Sequence, residues 1–157
     1  MKFQSTKVID GFSCCFRQEK AFPINCAYIH GYSISFKIVF EGDLDTRQWV
    51  VDYGFLKRSN NCITWDNKAM TPDEWFKYMF DHTVIVSSSD SQLDWFKEAD
   101  KKNILRLRII PYVGCERFAE LVFNAINPFI QTESEGRVHV VSVECMEHNK
   151  NSSIFLS

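Results

Sequence analysis

The 157-residue chain lacks the features that mark several large classes of protein. No run of apolar residues approaches the ~20 that a membrane-spanning helix requires. The formal net charge is only -2, which gives no reason to expect nucleic acid or an anionic membrane as a partner. Residues 1–7 lack the apolar core of a secretory signal peptide. We therefore expect a single domain, residues 1–157, that acts in the cytoplasm.

The chain has six cysteines, but it has no Cys-x-x-Cys pair. That spacing is common in structural zinc sites, so a site of that kind is not predicted. In a non-secreted chain with a core of this size, we expect free thiols rather than a disulfide framework.

Hydrophobic periodicity predicts an α+β domain in which antiparallel strands are covered by helices on one face. Thr71 and Pro72 have the chemistry of a helix start, with Glu74 completing a capping box. Strands are predicted at residues 8–16, 33–41, 83–86, 103–110, 137–146 and 152–156. Helices are predicted at residues 49–57, 72–80, 93–99 and 118–129, with Pro128 weakening the last turn and an interruption at residues 59–67.

The most strongly patterned strand follows the stretch from Asn25 to Ser33. The period of two of an extended chain places one set of apolar side chains on a single face, namely Tyr32, Ile34, Phe36, Ile38 and Phe40. A thiol and an imidazole, Cys26 and His30, stand just before this strand. A thiol near an imidazole can act as a nucleophile or base, but spacing alone favours a buried Cys26 and a His30 that completes a turn.

Asp81 and His82 follow a predicted helix. A carboxylate beside an imidazole can fix its tautomer, whereas helix capping by His82 with a solvated Asp81 is the structural alternative. Glu116 stands at the start of another helix, where the helix dipole stabilises an anion.

Glu144 lies in an apolar run, at the same parity as Val138 and Val140. On a regular strand this parity places a carboxylate on an apolar face, where it needs a partner or a ligand. A planar heterocycle with a guanidine-like edge, such as a pterin, can offer two parallel N–H donors. An ion pair with a nearby arginine or lysine is the alternative.

The order of these motifs resembles the 6-pyruvoyltetrahydropterin synthase / 6-carboxytetrahydropterin synthase family over residues 11–155. The spacing Cys-x-x-x-His-Gly is closer to the 6-carboxytetrahydropterin synthase branch. The motifs are Cys26-x-x-x-His30-Gly31, Trp49-Val50-Val51-Asp52-Tyr53-Gly54-Phe55-Leu56-Lys57, Asp81-His82, Cys115-Glu116 and Val143-Glu144.

The resemblance implies a tunnelling fold (T-fold), in which a four-stranded antiparallel sheet carries two main helices on one face. Such subunits assemble through their sheets into trimeric barrels that stack as hexamers, so we expect a homo-oligomer. The implied substrate is 7,8-dihydroneopterin triphosphate, bound between subunits. In the 6-carboxy branch this lyase cuts the side chain to a carboxylate, releasing acetaldehyde and triphosphate on the route to 7-deazaguanines and queuosine.

The resemblance also implies roles for individual residues. Cys26 matches the catalytic thiol that moves side-chain protons, and Asp81 and His82 match the pair that works with it as a relay. Glu144 matches the glutamate that anchors the pterin ring, and Glu116 matches a second ring contact.

Zinc is the cofactor that the resemblance implies, held by three histidines, but two of those positions differ here. Phe16 and Tyr32 replace two ligands, and only His30 remains. Phenylalanine has no donor atom, and a neutral tyrosine is a poor ligand. The zinc site is therefore predicted to be degenerate.

The degenerate site leaves three alternatives open. Cys14, on the face of Phe16, could rebuild a metal site with His30. Arg17 or Tyr32 could supply electrophilic assistance in place of a metal. The protein could also bind a pterin or purine without turning it over.

Overall fold

The apolar face predicted after the Cys26–His30 stretch forms the centre of the core. Ile34, Phe36, Ile38 and Phe40 are fully buried, and Tyr32 is nearly so. This prediction is confirmed, and it shows that the period of two persists across the short break in the strand at residues 33–34.

The computed structural model describes residues 1–58 and 60–157 of the chain, so the predicted interruption at residues 59–67 begins outside the described residues. The elements in chain order are β1 (Phe3–Ile9), β2 (Cys14–Phe16), β3 (His30–Tyr32), β4 (Ser35–Gly42), β5 (Ile63–Trp65), β6 (Lys68–Met70), α1 (Pro72–Phe80), β7 (Thr83–Ser87), α2 (Leu93–Lys101), β8 (Leu107–Ile110), α3 (Cys115–Glu133), β9 (Val138–His148) and β10 (Asn151–Leu156).

The main sheet has the four antiparallel strands that were predicted, and their order is β1-β4-β9-β10. Helix α3 packs across β9 and β10. Helix α1 covers the same side, because the ring of Phe36 on β4 lies 4.8 Å from that of Phe80. Phe118 of α3 contacts Phe80 in turn, with ring centroids 5.6 Å apart. The α+β architecture with helices on the core face is therefore confirmed.

A second sheet, in the order β3-β2-β7-β8, was not expected from the sequence. Strands β2 and β3 are antiparallel, whereas β2 with β7 and β7 with β8 are parallel. This sheet brings residues 14–16 beside residues 30–32. It thereby brings together Phe16, His30 and Tyr32, the three positions compared above with zinc ligands.

The start of α1 follows its sequence signature. Thr71 Oγ1 accepts a hydrogen bond from the Glu74 amide at 3.3 Å, and the Glu74 carboxylate accepts one from the Thr71 amide at 2.9 Å. Pro72 occupies the first helical position. The predicted capping box is confirmed.

Three other boundaries were predicted wrongly. The strand at 8–16 is in fact β1 and β2, which belong to different sheets, and Gly11 turns between them with a φ of +86°. The helix at 49–57 is only a 3₁₀ turn, Tyr53–Lys57, because Asp52 Oδ1 accepts the Gly54 amide at 2.9 Å and starts the turn there. The strand at 103–110 begins only at Leu107.

Helix α3 continues through Pro128 to Glu133, further than predicted. Within residues 1–58 and 60–157, no helix is both long enough and apolar enough to cross a membrane.

Strand β9 has two skipped residues, one where it pairs with β4 and one where it pairs with β10. Against β4, Val39 pairs with Ser142 and Phe40 pairs with Val140, so Val141 is skipped. A single extra residue reverses which side chains face the core beyond it. Val143 is buried and Glu144 is not. The prediction that Glu144 shares the face of Val138 and Val140 is therefore wrong.

Replacing Phe36 by alanine tests the core. The ring is fully buried against Phe76 and Phe80, so its loss should reduce the free energy of unfolding by about 3–5 kcal/mol. Phe22→Ala is the control, because this ring is 70% exposed and should change stability by less than about 0.5 kcal/mol. Urea denaturation followed by circular dichroism measures both, and equal effects of the two substitutions would contradict the described core.

Candidate active site

A cleft of about 530 Å³ opens beside β2 and β3, at the start of α3 and the turn between β9 and β10. Its volume lies in the range of small-molecule sites. Two predicted site residues, Cys26 and Glu116, line it together. The full lining is Phe16, Gln18, Cys26, Tyr32, Cys115, Glu116, Glu147, Lys150, Asn151, Ser152 and Ser153.

Cys26 lies in a 3₁₀ turn, Asn25–Ala27, within the loop that links β2 to β3. The Gln18 amide donates a hydrogen bond to the Cys26 carbonyl at 2.8 Å, which closes the loop on itself. The loop is tied to the connection between β7 and α2 through Glu19, which accepts a hydrogen bond from the Ser91 amide at 3.0 Å. These contacts fix the thiol at the edge of the cleft.

An ion pair between Arg17 and Asp90 anchors the beginning of the same loop. Arg17 Nε donates to Asp90 Oδ2 at 2.9 Å, and a second guanidinium nitrogen donates to Oδ1 at 2.6 Å. Burial alone would raise the pKa of Asp90, but the hydrogen bonds from Arg17 and from the Gln92 amide, together with the charge of Arg17, outweigh it and the pKa is lowered. The Asp90 side chain is 2% exposed. Arg17 is therefore engaged as a loop anchor.

The start of α3 supplies two cleft residues, Cys115 and Glu116. Gly114 precedes them with a φ of +127°, and a Cβ at this position would lie 2.8 Å from Gln18 Nε2. Only glycine therefore lets α3 begin so close to the Cys26 loop. A hydrogen bond from Cys145 lowers the pKa of Cys115, and the same bond, followed by burial, raises that of Cys145.

Glu147 is the carboxylate that β9 contributes to the cleft. Against β10, His148 pairs with Asn151 and Met146 pairs with Ser152, so Glu147 is the skipped residue of a second bulge. Bulges of this kind redirect a side chain and are frequent beside functional sites. Here the bulge coincides with the point at which a carboxylate enters the cleft.

Glu144 itself is not among the residues that line the cleft. Its Oε1 accepts a hydrogen bond from Ser152 Oγ at 2.5 Å, and Ser152 is a lining residue. Glu144 therefore reaches the cleft only through Ser152. Sequence reasoning missed Glu147, whose one signal is its position two residues before the polar turn at 149–151.

The three positions matched to zinc ligands do come together. Phe16 lies opposite His30 across the β2–β3 pair, and the Phe16 and Tyr32 rings stack with centroids 4.0 Å apart. The His30 ring lies 4.4 Å from that of Tyr32, and its Nδ1 is within 2.8 Å of the Tyr28 carbonyl oxygen. These positions form an aromatic stack.

The stack does not fit a zinc ion. Phe16 offers no donor, and the pKa of Tyr32 is raised to about 12 by burial, with a further contribution from Cys26, so its hydroxyl stays protonated. Cys14 does not compensate, because it is buried and its pKa is raised to about 12, again chiefly by burial. Over residues 1–58 and 60–157, no cluster of three histidine, cysteine or acidic side chains could hold a metal.

Asp81 and His82 lie together, but they are not part of the cleft lining. Asp81 Oδ1 is 3.0 Å from His82 Nδ1 and also accepts the Ser13 amide at 3.3 Å. The His82 side chain is 75% exposed. The carboxylate holds the imidazole in one orientation, with Nε2 directed away from Asp81, but one copy of the chain does not bring this pair to Cys26.

Several solved structures share this fold. An uncharacterized protein of Wolinella succinogenes aligns with a TM-score of 0.77 at 18% identity, covering 100% of this chain and 99% of that one. The enzyme 6-pyruvoyl tetrahydropterin synthase of Caenorhabditis elegans aligns with a TM-score of 0.59 at 17% identity, covering 100% and 96%. A catalytic-residue mutant of the Plasmodium vivax enzyme aligns at 0.62 and 13%, covering 98% and 97%.

A search of curated proteins finds no match. The family model described as 6-pyruvoyl tetrahydropterin synthase matches residues 6–157. That match includes the whole cleft and nearly all of the main sheet. The chain therefore belongs to the 6-pyruvoyl tetrahydropterin synthase family.

Proposed function

We propose that this protein is a pterin lyase of the 6-carboxytetrahydropterin synthase type, acting on 7,8-dihydroneopterin triphosphate. The observation that carries the proposal is the meeting of Cys26, Glu116 and Glu147 in one cleft of about 530 Å³. A thiol can move protons, and carboxylates can hold the guanidine-like edge of a pterin. The spacing of the Cys26 motif favours the 6-carboxy branch.

The two cleft carboxylates suit ring recognition. Glu116 is at the second position of α3, where the helix dipole favours an anion, and Glu147 is directed inward by the β9 bulge. A carboxylate that accepts two parallel N–H bonds fixes both the position and the rotation of a planar ring. We assign the main ring contact to Glu147, with Glu116 as the second. Lys150, another lining residue, supplies a positive charge for an anionic substrate.

Cys26 is proposed as the base that moves side-chain protons, and Asp81 and His82 as its relay. Because this pair lies outside the cleft of its own chain, we propose that a neighbouring copy brings it to Cys26. The exposed His82 ring, oriented by Asp81, supports this arrangement. The site would then be complete only in a homo-oligomer.

A second candidate function is pterin or purine binding without turnover. The aromatic stack favours it, because Phe16 and Tyr32 stand where the family holds its metal ligands. Incubation with 7,8-dihydroneopterin triphosphate separates the two. Release of triphosphate and acetaldehyde supports the lyase, whereas tight binding measured by calorimetry with unchanged substrate supports the binding protein.

Glu147→Gln should weaken pterin binding by at least about 100-fold, because it removes a charged acceptor of two hydrogen bonds. Glu144→Gln, three residues earlier on the same strand, should change the dissociation constant by less than about threefold, since Glu144 bonds Ser152 instead. Isothermal titration with 6-methyl-7,8-dihydropterin measures both. The opposite ranking would return the ring contact to Glu144.

Mixed oligomers should reveal a relay that crosses between subunits. Cys26→Ala and His82→Ala should each abolish turnover when alone. Co-expressed in equal amounts, they should recover about a quarter of the activity, because that share of sites combines an intact Cys26 with an intact neighbouring His82. Co-expression of Cys26→Ala with Cys26→Ser is the control and should recover nothing. Equal inactivity of both mixtures would place the relay within one chain.

Cys115 should be more reactive than its two neighbours Cys14 and Cys145. Its pKa is lowered, whereas those of Cys14 and Cys145 are raised, so at pH 7.5 iodoacetamide should label Cys115 before either of them. In Cys145→Ala the hydrogen bond is lost, and the pH at which Cys115 labelling reaches half its maximum rate should rise. Mass spectrometry of the native protein follows each site, and an unchanged midpoint would show that Cys145 does not act on Cys115.

A further inference from the structure

The Tyr32 ring is held in a fixed position, and its hydroxyl group is available as a hydrogen-bond donor. Its ring is held between Phe16 and His30, with centroids 4.0 and 4.4 Å away. Phe118 of α3 supports the stack from behind, with its ring edge-on to Phe16 at 4.9 Å. The residue is only 9% exposed, yet it lines the cleft. A ring packed in this way has little freedom to move when a ligand binds.

The Tyr32 hydroxyl has no hydrogen-bond partner in the part of the chain that the structure describes. The groups that act on it electrostatically are Cys26, Glu147 and Cys115, which all line the same cleft, together with Cys14 beneath it. A neutral phenol beside these groups can donate a hydrogen bond. The obvious recipient is therefore a bound molecule.

We propose that Tyr32 is a catalytic residue whose hydroxyl donates a hydrogen bond to a side-chain oxygen of the pterin substrate. This inference rests on the proposed function and names the residue that stabilises developing charge there. The Tyr32 hydroxyl would supply the electrophilic assistance at a position where the resemblance places a metal ligand. Arg17, the other candidate, is held by Asp90 in two hydrogen bonds and does not line the cleft.

The substrate side chain carries hydroxyl groups, and its first carbon becomes a carbonyl only after tautomerisation, in which the proton of that carbon is removed, the ring N5=C6 imine takes up the electron pair and protons, and the hydroxyl loses its proton to give the ketone. The step that needs this hydrogen bond is the next one, proton removal from the side-chain carbon beside that carbonyl. The Cys26 thiolate takes the proton from the carbon, and the electron pair of the broken C–H bond moves to the carbonyl, which becomes an enolate oxygen. The negative charge has passed from sulfur to oxygen, and the Tyr32 O–H stabilises it there. A preorganised donor of this kind typically contributes about 10²- to 10³-fold to the rate.

The position of the stack supports Cys26 as the base and Tyr32 as the hydrogen-bond donor. Phe16 and Tyr32 belong to adjacent strands, and both side chains are buried, so the hydroxyl is presented by the core rather than by a mobile loop. Cys26 lies on the loop between these strands. Base and donor therefore approach the cleft from connected parts of the structure.

Tyr32→Phe tests the inference because it keeps the stacked ring and removes only the donor. Binding is measured by calorimetry with two ligands, a 7,8-dihydropterin that carries a ketone in its 6-side chain and 6-methyl-7,8-dihydropterin. The variant should bind the ketone about 3- to 10-fold more weakly and the methyl compound unchanged, as one lost hydrogen bond requires. Turnover of 7,8-dihydroneopterin triphosphate should fall by about 10²- to 10³-fold.

Tyr28→Phe is the matched control, since Tyr28 is an exposed tyrosine of the same segment that does not line the cleft. It should leave both affinities and turnover as they are in the wild type. Equal affinities of wild type and Tyr32→Phe for the ketone, or an equal loss for both ligands, would overturn the inference. Failure of the wild type to bind either pterin would instead overturn the proposed function, and the inference with it.

Discussion

Strand β9 sets the constraint on which the site depends, because it must pair along both edges and also pack beneath α3. In this sequence strict period-two alternation would place Ser142 and Glu144, not Val143 and Cys145, on the face of Val138 and Val140. Two bulges change that pattern. The one at Val141 keeps Val143 and Cys145 in the core, and the one at Glu147 lies where this carboxylate lines the cleft.

In the aromatic stack, backbone pairing holds three positions together in the way that a metal site would need, but the side chains are those of an apolar cluster. Backbone pairing between β2 and β3 still places positions 16, 30 and 32 together, as a set of metal ligands would require. Only the side chains differ, and they bury apolar rings where donor atoms would otherwise converge. The backbone therefore brings the three positions together, and the side chains at those positions decide whether a metal could bind there.

Much of the fold could be predicted from local pattern. The buried alternation from Tyr32 to Phe40 and the capping box at Thr71 depend on neighbours in the chain, and both were found where the sequence placed them. The break at Gly11 and the parallel pairing of β2 with β7 depend on partners far away in sequence. Local periodicity carries no information about such partners.

The candidate site, like the fold, could be predicted from the sequence only in part. Cys26 and Glu116 were singled out by the resemblance of the motif order to a family, whereas spacing alone favoured a buried Cys26, and the structure brings both to one cleft. Glu144 and Glu147 could not be told apart, because the choice depends on two skipped residues that are visible only in the register of paired strands. A one-residue shift exchanges the faces of a strand, so an assignment by parity fails wherever a bulge intervenes.

Asp81 and His82 do not line the cleft. Under the proposed relay, each chain therefore contributes one part to each of two sites. One half, around Cys26, has a thiol, two carboxylates and a stacked tyrosine. The other has an exposed imidazole held by the Asp81 carboxylate, which also accepts the Ser13 amide. The proposed relay uses this exposed imidazole by placing it against a second copy of the chain. Because identical chains carry both halves, closed symmetry would complete every site at once.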